Sequence, residues 1–431
     1  MTTPLGHALT LPCGLVLPNR IAKAALSEFM ADSDGVPSEH MISLYRRWGE
    51  GGAGLVITGN VMVDPRYIEA PGNVALNGKL SKLARSRLLA IAEAGKSSGS
   101  AVFMQLSHAG ALALKQTCER PVAPSLLRRG TRGIGAFSSA PCRAVTTDEI
   151  KSIVAQFAAA AEMAADAGFD GVQIQCGHGH LISQFLSPRL NRRTDDWGGS
   201  LHNRARLMLE IIAEVRARLP GTFAISIKLN ASDFIEDGFS FDDCLSAVEW
   251  LNGVDIDLIE ISGGSRVQPQ MFGLMQPDCY EADGRLLSGY HETGAYFGGF
   301  SKAVKAVARM PVLVTGGVRR RKDAERIILR DVADLVGFGR SMCLDNKLPE
   351  KLLSGDVDVI DEFMPEGLES GGHLGPDSSF GFIRDIHFEA LMAWHSVQMA
   401  RLSNGSKMDA SVGLLSALRA FRRSLKATRQ R

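Results

Sequence analysis

The chain lacks any Cys-x-x-Cys pair. Its seven cysteines, Cys13, Cys118, Cys142, Cys176, Cys244, Cys279 and Cys343, lie at long, unrelated spacings. That excludes a disulfide framework and a cysteine-ligated zinc or iron–sulfur site, and the odd count reads as the reduced thiols of a cytoplasmic protein. Charge of one sign is missing too: 48 Lys and Arg against 47 Asp and Glu leave a formal net charge of +1, which argues against nucleic acid or an anionic membrane as the main partner. The one basic stretch, Arg419–Arg431, reads as a solvated terminal helix with a frayed end. No run approaches the roughly 18 apolar residues that cross a bilayer, and the first residues carry no basic segment followed by an apolar core, so they do not read as a secretory signal.

What is abundant is apolar and periodic. Hydrophobic residues make up 45% of 431 residues, enough for one large barrel of about 250 to 350 residues plus extra segments, or for two smaller domains. Apolar, β-branched runs recur at Leu15–Ala22, Gly54–Thr58, Ala101–Gln105, Gly171–Gln175, Ala224–Leu229, Leu258–Ser262, Pro311–Thr315 and Asp334–Phe338. Helical stretches follow them: Ser38–Glu50, Leu80–Ser97, Thr147–Ala167, Leu201–Leu219, Phe241–Leu251, Thr293–Ala308, Arg321–Arg330 and Asn346–Leu353. Eight strands alternating with eight helices predict parallel pairing and an α/β fold, the closed (β/α)8 TIM barrel. Thr147 and Ser200 are the expected N-caps of the third and fourth helices, and Pro220-Gly221 the stop of the fourth.

Two long insertions, Thr117–Arg143 and Gly263–Glu292, read equally as functional covers or as surface loops. The rhythm stops after Gly355. Residues 1–355 are therefore expected to form the barrel and residues 356–431 a C-terminal helical extension, with helices at Phe380–Leu402 and Ala410–Lys426. The extension is expected to pack on the barrel exterior or on a second subunit of a homo-oligomer.

Strand ends are where barrel enzymes do chemistry, and several here carry polar side chains. The fourth closes on Gln175, His178 and His180. The seventh and eighth close on Gly316-Gly317 and Gly339-Arg340, and glycines in those two loops let backbone N–H groups point at a phosphate. Gly177-His178-Gly179 is half of a dinucleotide fingerprint, but Ile182 stands at the third glycine position. On the fifth strand Lys228 shares an inward face with Ser226 and Asn230. A buried lysine needs an anionic partner, either a ligand or a structural carboxylate. His178 and His180 could ligate zinc, but strands five, six and eight end Lys-Leu-Asn, Ser-Gly-Gly and Phe-Gly-Arg and offer no further ligands, so no metal is expected.

The segment Phe169–Gly199, together with Asn19–Ser27, the ends of strands two and three and the two glycine loops, resembles the flavin-binding old yellow enzyme family. The resemblance spans Leu17–Leu353 and six strand ends. It implies FMN as cofactor, NADH or NADPH as electron donor and a small-molecule substrate. Ala25, Leu26, Ser27 and Gly59 would pass beside the isoalloxazine ring, with Ser27 at the hydroxyl position near N5 or O4. Gln105 would read the pyrimidine edge and Lys228 would face N1–C2=O; Gly316, Gly317, Gly339 and Arg340 would hold the phosphate. Two positions depart from the family pattern: Gln175 stands at the first carbonyl-binding position and His180 where tyrosine is usual. The implied reaction is reduction of an activated C=C bond, Gln175 and His178 binding the carbonyl and His180 protonating the α-carbon. Other readings are dehydrogenation or oxidative demethylation on the same flavin, a metal-dependent barrel hydrolase, and a flavin-binding protein without turnover.

Overall fold

A computed structural model describes residues 3–76, 78, 80–114, 117–127, 141–265, 268, 270–272, 293–360, 378 and 381–430. The middle of the first insertion, most of the second, the start of the tail and Cys279 lie outside the described residues. The barrel strands are β1 (Ile21–Lys23), β2 (Leu55–Ile57), β3 (Ala101–Ser107), β4 (Gly171–Cys176), β5 (Ala224–Asn230), β6 (Leu258–Ser262), β7 (Val312–Thr315) and β8 (Leu335–Phe338). Each pairs in parallel with the next, β8 pairs with β1 and β3 with β4, so the sheet closes into the (β/α)8 barrel. Closure leaves the barrel no free edge and puts all eight strand C-termini on one face.

Alternation along β5 divides the chemistry. Ile225, Ile227 and Leu229 join the core between strands and helices, while Ser226, Lys228 and Asn230 are buried on the other face. The outer ring comprises α1 (Glu39–Glu50), α2 (Lys82–Gly95), α3 (Thr147–Asp166), α4 (Leu201–Arg218), α5 (Phe241–Leu251), α6 (Gly298–Val307), α7 (Arg321–Leu329) and α8 (Leu348–Ser354). Ser200 caps α4 as expected, accepting from Asn203 N. The cap of α3 is Thr146, not Thr147: its hydroxyl accepts from Glu149 N and Glu149 returns to the Thr146 N–H in a capping box. The sixth helix begins at Gly298 rather than Thr293.

The first apolar run also divides. Pro18 cannot donate to a ladder, so Val16–Leu17 pairs antiparallel with Leu9–Thr10 and only Ile21–Lys23 enters the barrel. Asn19 makes the corner, its Oδ1 accepting from Ile21 N and Gly54 N. The ribbon plugs the N-terminal end, where Leu11 and Leu17 pack with Leu55, Phe103, Leu313 and Leu335.

The tail forms α9 (Gly381–Ser403) and α10 (Leu414–Gln430), an antiparallel pair tied by Trp394 Nε1–H donating to Val412 O (2.9 Å) and by Arg422–Glu389 (2.6 Å). It packs on the barrel of its own chain. Ser43 on α1 donates to Ser403 O (2.6 Å), and Phe421 meets Phe29 edge to face at 5.4 Å. No helix among the described residues is long and apolar enough to cross a membrane.

Candidate active site

A cleft opens at the C-terminal ends of the strands, the face where barrel enzymes bind their ligands. Ala25, Leu26 and Ser27 line one wall; Gln105, Gln175, His178, His180 and Lys228 line the floor and one side. Gly316, Gly317, Gly339 and Arg340 form the opposite end. Gly59 does not reach the cleft. A Cβ there would lie 2.1 Å from Glu28 Oε2 and 2.2 Å from Leu26 O, so its place is behind the wall, where Glu28 accepts from Gly59 N (2.9 Å) and from the Tyr45 hydroxyl.

Parallel register builds the floor: Gln175, Lys228 and Glu260 stand side by side on β4, β5 and β6. Lys228 Nζ lies 2.7 Å from Glu260 Oε1, with side chains 6% and 0% exposed. Glu260 also accepts from Gln173 (2.8 Å), whose carbonyl accepts from Gln105 (2.7 Å). The partner of Lys228 is thus a carboxylate of the chain itself, with the ammonium still facing the cleft. Gln105 is oriented by Gln173, one strand over. Neither Gln173 nor Glu260 stands out in the sequence, because each occupies an inward position in an ordinary apolar strand.

At the mouth, His178 adopts a left-handed backbone (φ 59°), a conformation that usually marks a turn or a strained functional position in a non-glycine residue. Its Nε2 lies 2.7 Å from Ser262 Oγ and its Nδ1 3.4 Å from Gln175 Nε2. Burial, with Lys228 and His180 adding like charge, holds its pKa well below the usual histidine value. His178 is therefore a neutral imidazole at pH 7, donating from one nitrogen and accepting on the other.

His180 is built differently. Its Nδ1 is 3.3 Å from Gly177 O, and its Nε2 is 3.2 Å from Asn60 Nδ2 and 4.0 Å from Glu69 Oε2. Asn60 in turn donates to Glu69 (2.9 Å). Asn60 and Glu69 line the same cleft. Asn60 follows Thr58-Gly59 at the end of β2 and could have been read from that position. Glu69 comes from the excursion between β2 and α2 and carries no sequence signal. Nδ1–H donates to Gly177 O, so Nε2 accepts from the Asn60 amide, and Glu69 lies where its charge would favour a second proton on Nε2.

At the opposite end, Gly316 and Gly317 have φ of 100° and 88°, and a Cβ on Gly317 would lie 2.3 Å from Gly294 O. Only glycine fits this turn. Gly339 differs: a Cβ there would meet only Leu26 Cδ2, at 3.6 Å, so packing leaves that face open. Among the described lining residues, Gln175 Oε1, Thr315 Oγ1 and His395 Nε2 are buried without a hydrogen-bond partner. Buried polar atoms are nearly always paired in native proteins, so a ligand group in the cleft could complete each of them. Among the described residues no group of three metal-ligating side chains occurs.

A closed parallel barrel whose strand C-termini carry a polar cluster, with glycine-rich turns after β7 and β8, has the layout of a TIM-barrel enzyme. The model of the NADH:flavin oxidoreductase / NADH oxidase family matches residues 13–358. The chain belongs to that family of FMN-dependent oxidoreductases. It is 35% identical over 383 residues to the NADH-dependent flavin oxidoreductase iliE of Neonectria sp. (strain DH2), covering 85% of this chain and 49% of that one. Against iliE of Hypocrea jecorina (strain QM6a) the identity is 33% over 361 residues, covering 80% of this chain and 88% of the relative. The chain thus spans about half the length of the first relative and most of the second. Morphinone reductase in complex with tetrahydroNAD superposes with a TM-score of 0.67 at 25% identity, covering 86% of this chain and 95% of that one.

Proposed function

We propose that the chain uses NADH to reduce its flavin and then reduces the activated C=C bond of a small or medium-sized carbonyl compound. The observation that carries this reading is the polar cluster Gln175–His178–His180, backed by Asn60 and Glu69, on one side of a cleft whose far end suits a phosphate. FMN held between the Ala25–Ser27 wall, Gln105 and Lys228 would supply the two-electron chemistry that links the nicotinamide to the alkene.

The chain's own residues do the rest. Gln175 has a second amide N–H beyond the one that meets His178, and His178 can turn its Nε2–H from Ser262 to a carbonyl oxygen; both can then stabilise charge that develops there. His180, held by Gly177 and Asn60 with Glu69 beside it, takes a second proton from solvent on Nε2 and passes it to the α-carbon. Lys228 holds positive charge at the floor and stabilises electron density gained above it, while Glu260 keeps the ammonium in place. Ala25, Leu26 and Ser27 form a wall against which a flat ring can stack. Phe29 extends that wall and excludes water.

The test is anaerobic stopped-flow mixing of the reduced enzyme with a cyclic enone and, separately, with the saturated ketone. Flavin reoxidation by the enone alone, with the saturated product recovered, is the expected result. Reoxidation only by oxygen would sink the proposal and leave an NADH oxidase. Flavin-dependent dehydrogenation would instead appear as flavin reduction by an amine or saturated substrate without NADH.

A further inference from the structure

The C-terminal helical pair does more than cover the barrel. Helix α9 lies against the short helix Ser341–Leu344 that follows the Gly339-Arg340 loop, and Phe388, Met392, His395 and Met399 of α9 line the cleft beside Arg340 and Ser341. His395 is 6% exposed. Its Nδ1 donates to Leu391 O at 2.8 Å, one helical turn back, which fixes the ring and leaves Nε2 buried at the cleft surface without a partner. A histidine of no further use at such a site would be better replaced by an apolar residue, since an unpaired buried nitrogen opposes folding.

We propose that His395 is a ligand of the cofactor's phosphate monoester, so that the helical extension supplies the third wall of the phosphate site beside the β7 and β8 loops. The inference rests on FMN being the cofactor. With the dianion bound, the ring carries protons on both nitrogens, Nδ1–H on Leu391 O and Nε2–H on a phosphate oxygen, the second proton coming from solvent. Arg340 is the neighbouring cation that shares the same anion. In the cofactor-free chain, burial and the Arg340 charge hold the ring neutral, with its pKa lowered to about 3. The phosphate supplies the missing counter-charge. Met392 and Met399 provide soft apolar contact along the same helix face, and the Phe29–Phe421 contact fastens α10 over the adjoining wall.

The test uses the full chain stripped of flavin and compares FMN with riboflavin, which lacks the phosphate, by fluorescence titration. In His395→Gln, FMN binding should weaken roughly 10- to 100-fold, the range for one charge-assisted hydrogen bond, while riboflavin binding stays as in the unmodified chain. Unchanged FMN binding, or equal loss of FMN and riboflavin, would overturn the proposal, the second outcome assigning His395 to wall packing alone. Should His395→Gln fail to fold, the 15N shift of Nε2 in the unmodified chain decides: protonation on adding FMN but not riboflavin supports the proposal, and no difference overturns it. If the unmodified chain binds neither flavin, the cofactor reading itself fails, an outcome distinct from either of these.

Discussion

Replacing Glu69 by Gln isolates the electrostatic support of His180 while keeping the shape of the cleft. Glu69 Oε2 lies 4.0 Å from His180 Nε2, with side chains 9% and 6% exposed. Two unit charges at that distance attract by about 4 kcal/mol at an effective dielectric constant near 20, and Asn60, which donates to Glu69 and touches His180, takes up part of it. The carboxylate favours the charged ring, so its removal makes the ring lose its proton at lower pH. The pH midpoint of alkene reduction should therefore move down by about one to three units. At pH 7 the alkene-reducing rate falls accordingly, while reduction of the flavin by NADH, which needs no such acid, holds its rate and pH profile. His180→Phe should lose roughly 10²- to 10⁴-fold in alkene reduction, the usual span for one general acid, and should abolish the pH limb. The assay is stopped-flow measurement of the two half-reactions from pH 5 to 9, with flavin content checked for each variant. An unshifted midpoint in Glu69→Gln, or alkene reduction in His180→Phe equal to that of the unmodified enzyme, refutes the role of His180 and returns proton delivery to water.

Other consequences follow from the same geometry. Lys228→Met leaves Glu260 buried without its counter-charge, so stability to urea should drop by about 3–5 kcal/mol; Lys228→Met/Glu260→Leu should recover much of it, yet neither variant should hold reduced flavin normally, as a lowered reduction potential would report. Gly317→Ala puts a Cβ against Gly294 O in a left-handed turn and should cost about 1–3 kcal/mol with lower FMN occupancy, whereas Gly339→Ala, with open space, should cost little stability and act on FMN binding alone. His108 is buried with its pKa lowered to about 4 from an ordinary value of 6.5. The unfolded chain then binds the proton first as pH falls, so the flavin-free protein should lose stability between about pH 6.5 and 4, by up to about 3 kcal/mol from this residue. A flat denaturation midpoint across that window would contradict the burial of a neutral His108.

The barrel was legible because its signal is distributed. No single miss among eight apolar runs and eight helical stretches overturns the alternation, and parallel pairing follows from the crossover length. Errors fell where one residue decides: Pro18 split the first run, and Thr146 rather than Thr147 took the cap because only its register lets Glu149 reach back. In the cleft, Gln175, His178, His180 and Lys228 were readable since each is polar at a strand end or inside an apolar strand. What those residues bond to was not. Glu260, Gln173 and Ser262 meet them only through inter-strand register, Glu69 arrives from an irregular excursion, and His395 comes from a helix more than 200 residues further along than His178. Gly59, carried over by resemblance, sits behind the wall because the backbone there is crowded by Glu28. No local pattern encodes such meetings; the closed sheet creates them.

The central claim is that this cleft holds FMN reduced by NADH. The most direct measurement is the flavin content and spectrum of the purified full chain, followed by anaerobic titration with NADH and with NADPH. One equivalent of noncovalently bound FMN per chain, bleached by about one equivalent of NADH, is the expected result. A colourless protein that takes up no added FMN, or a bound flavin that neither nicotinamide bleaches, would contradict the account.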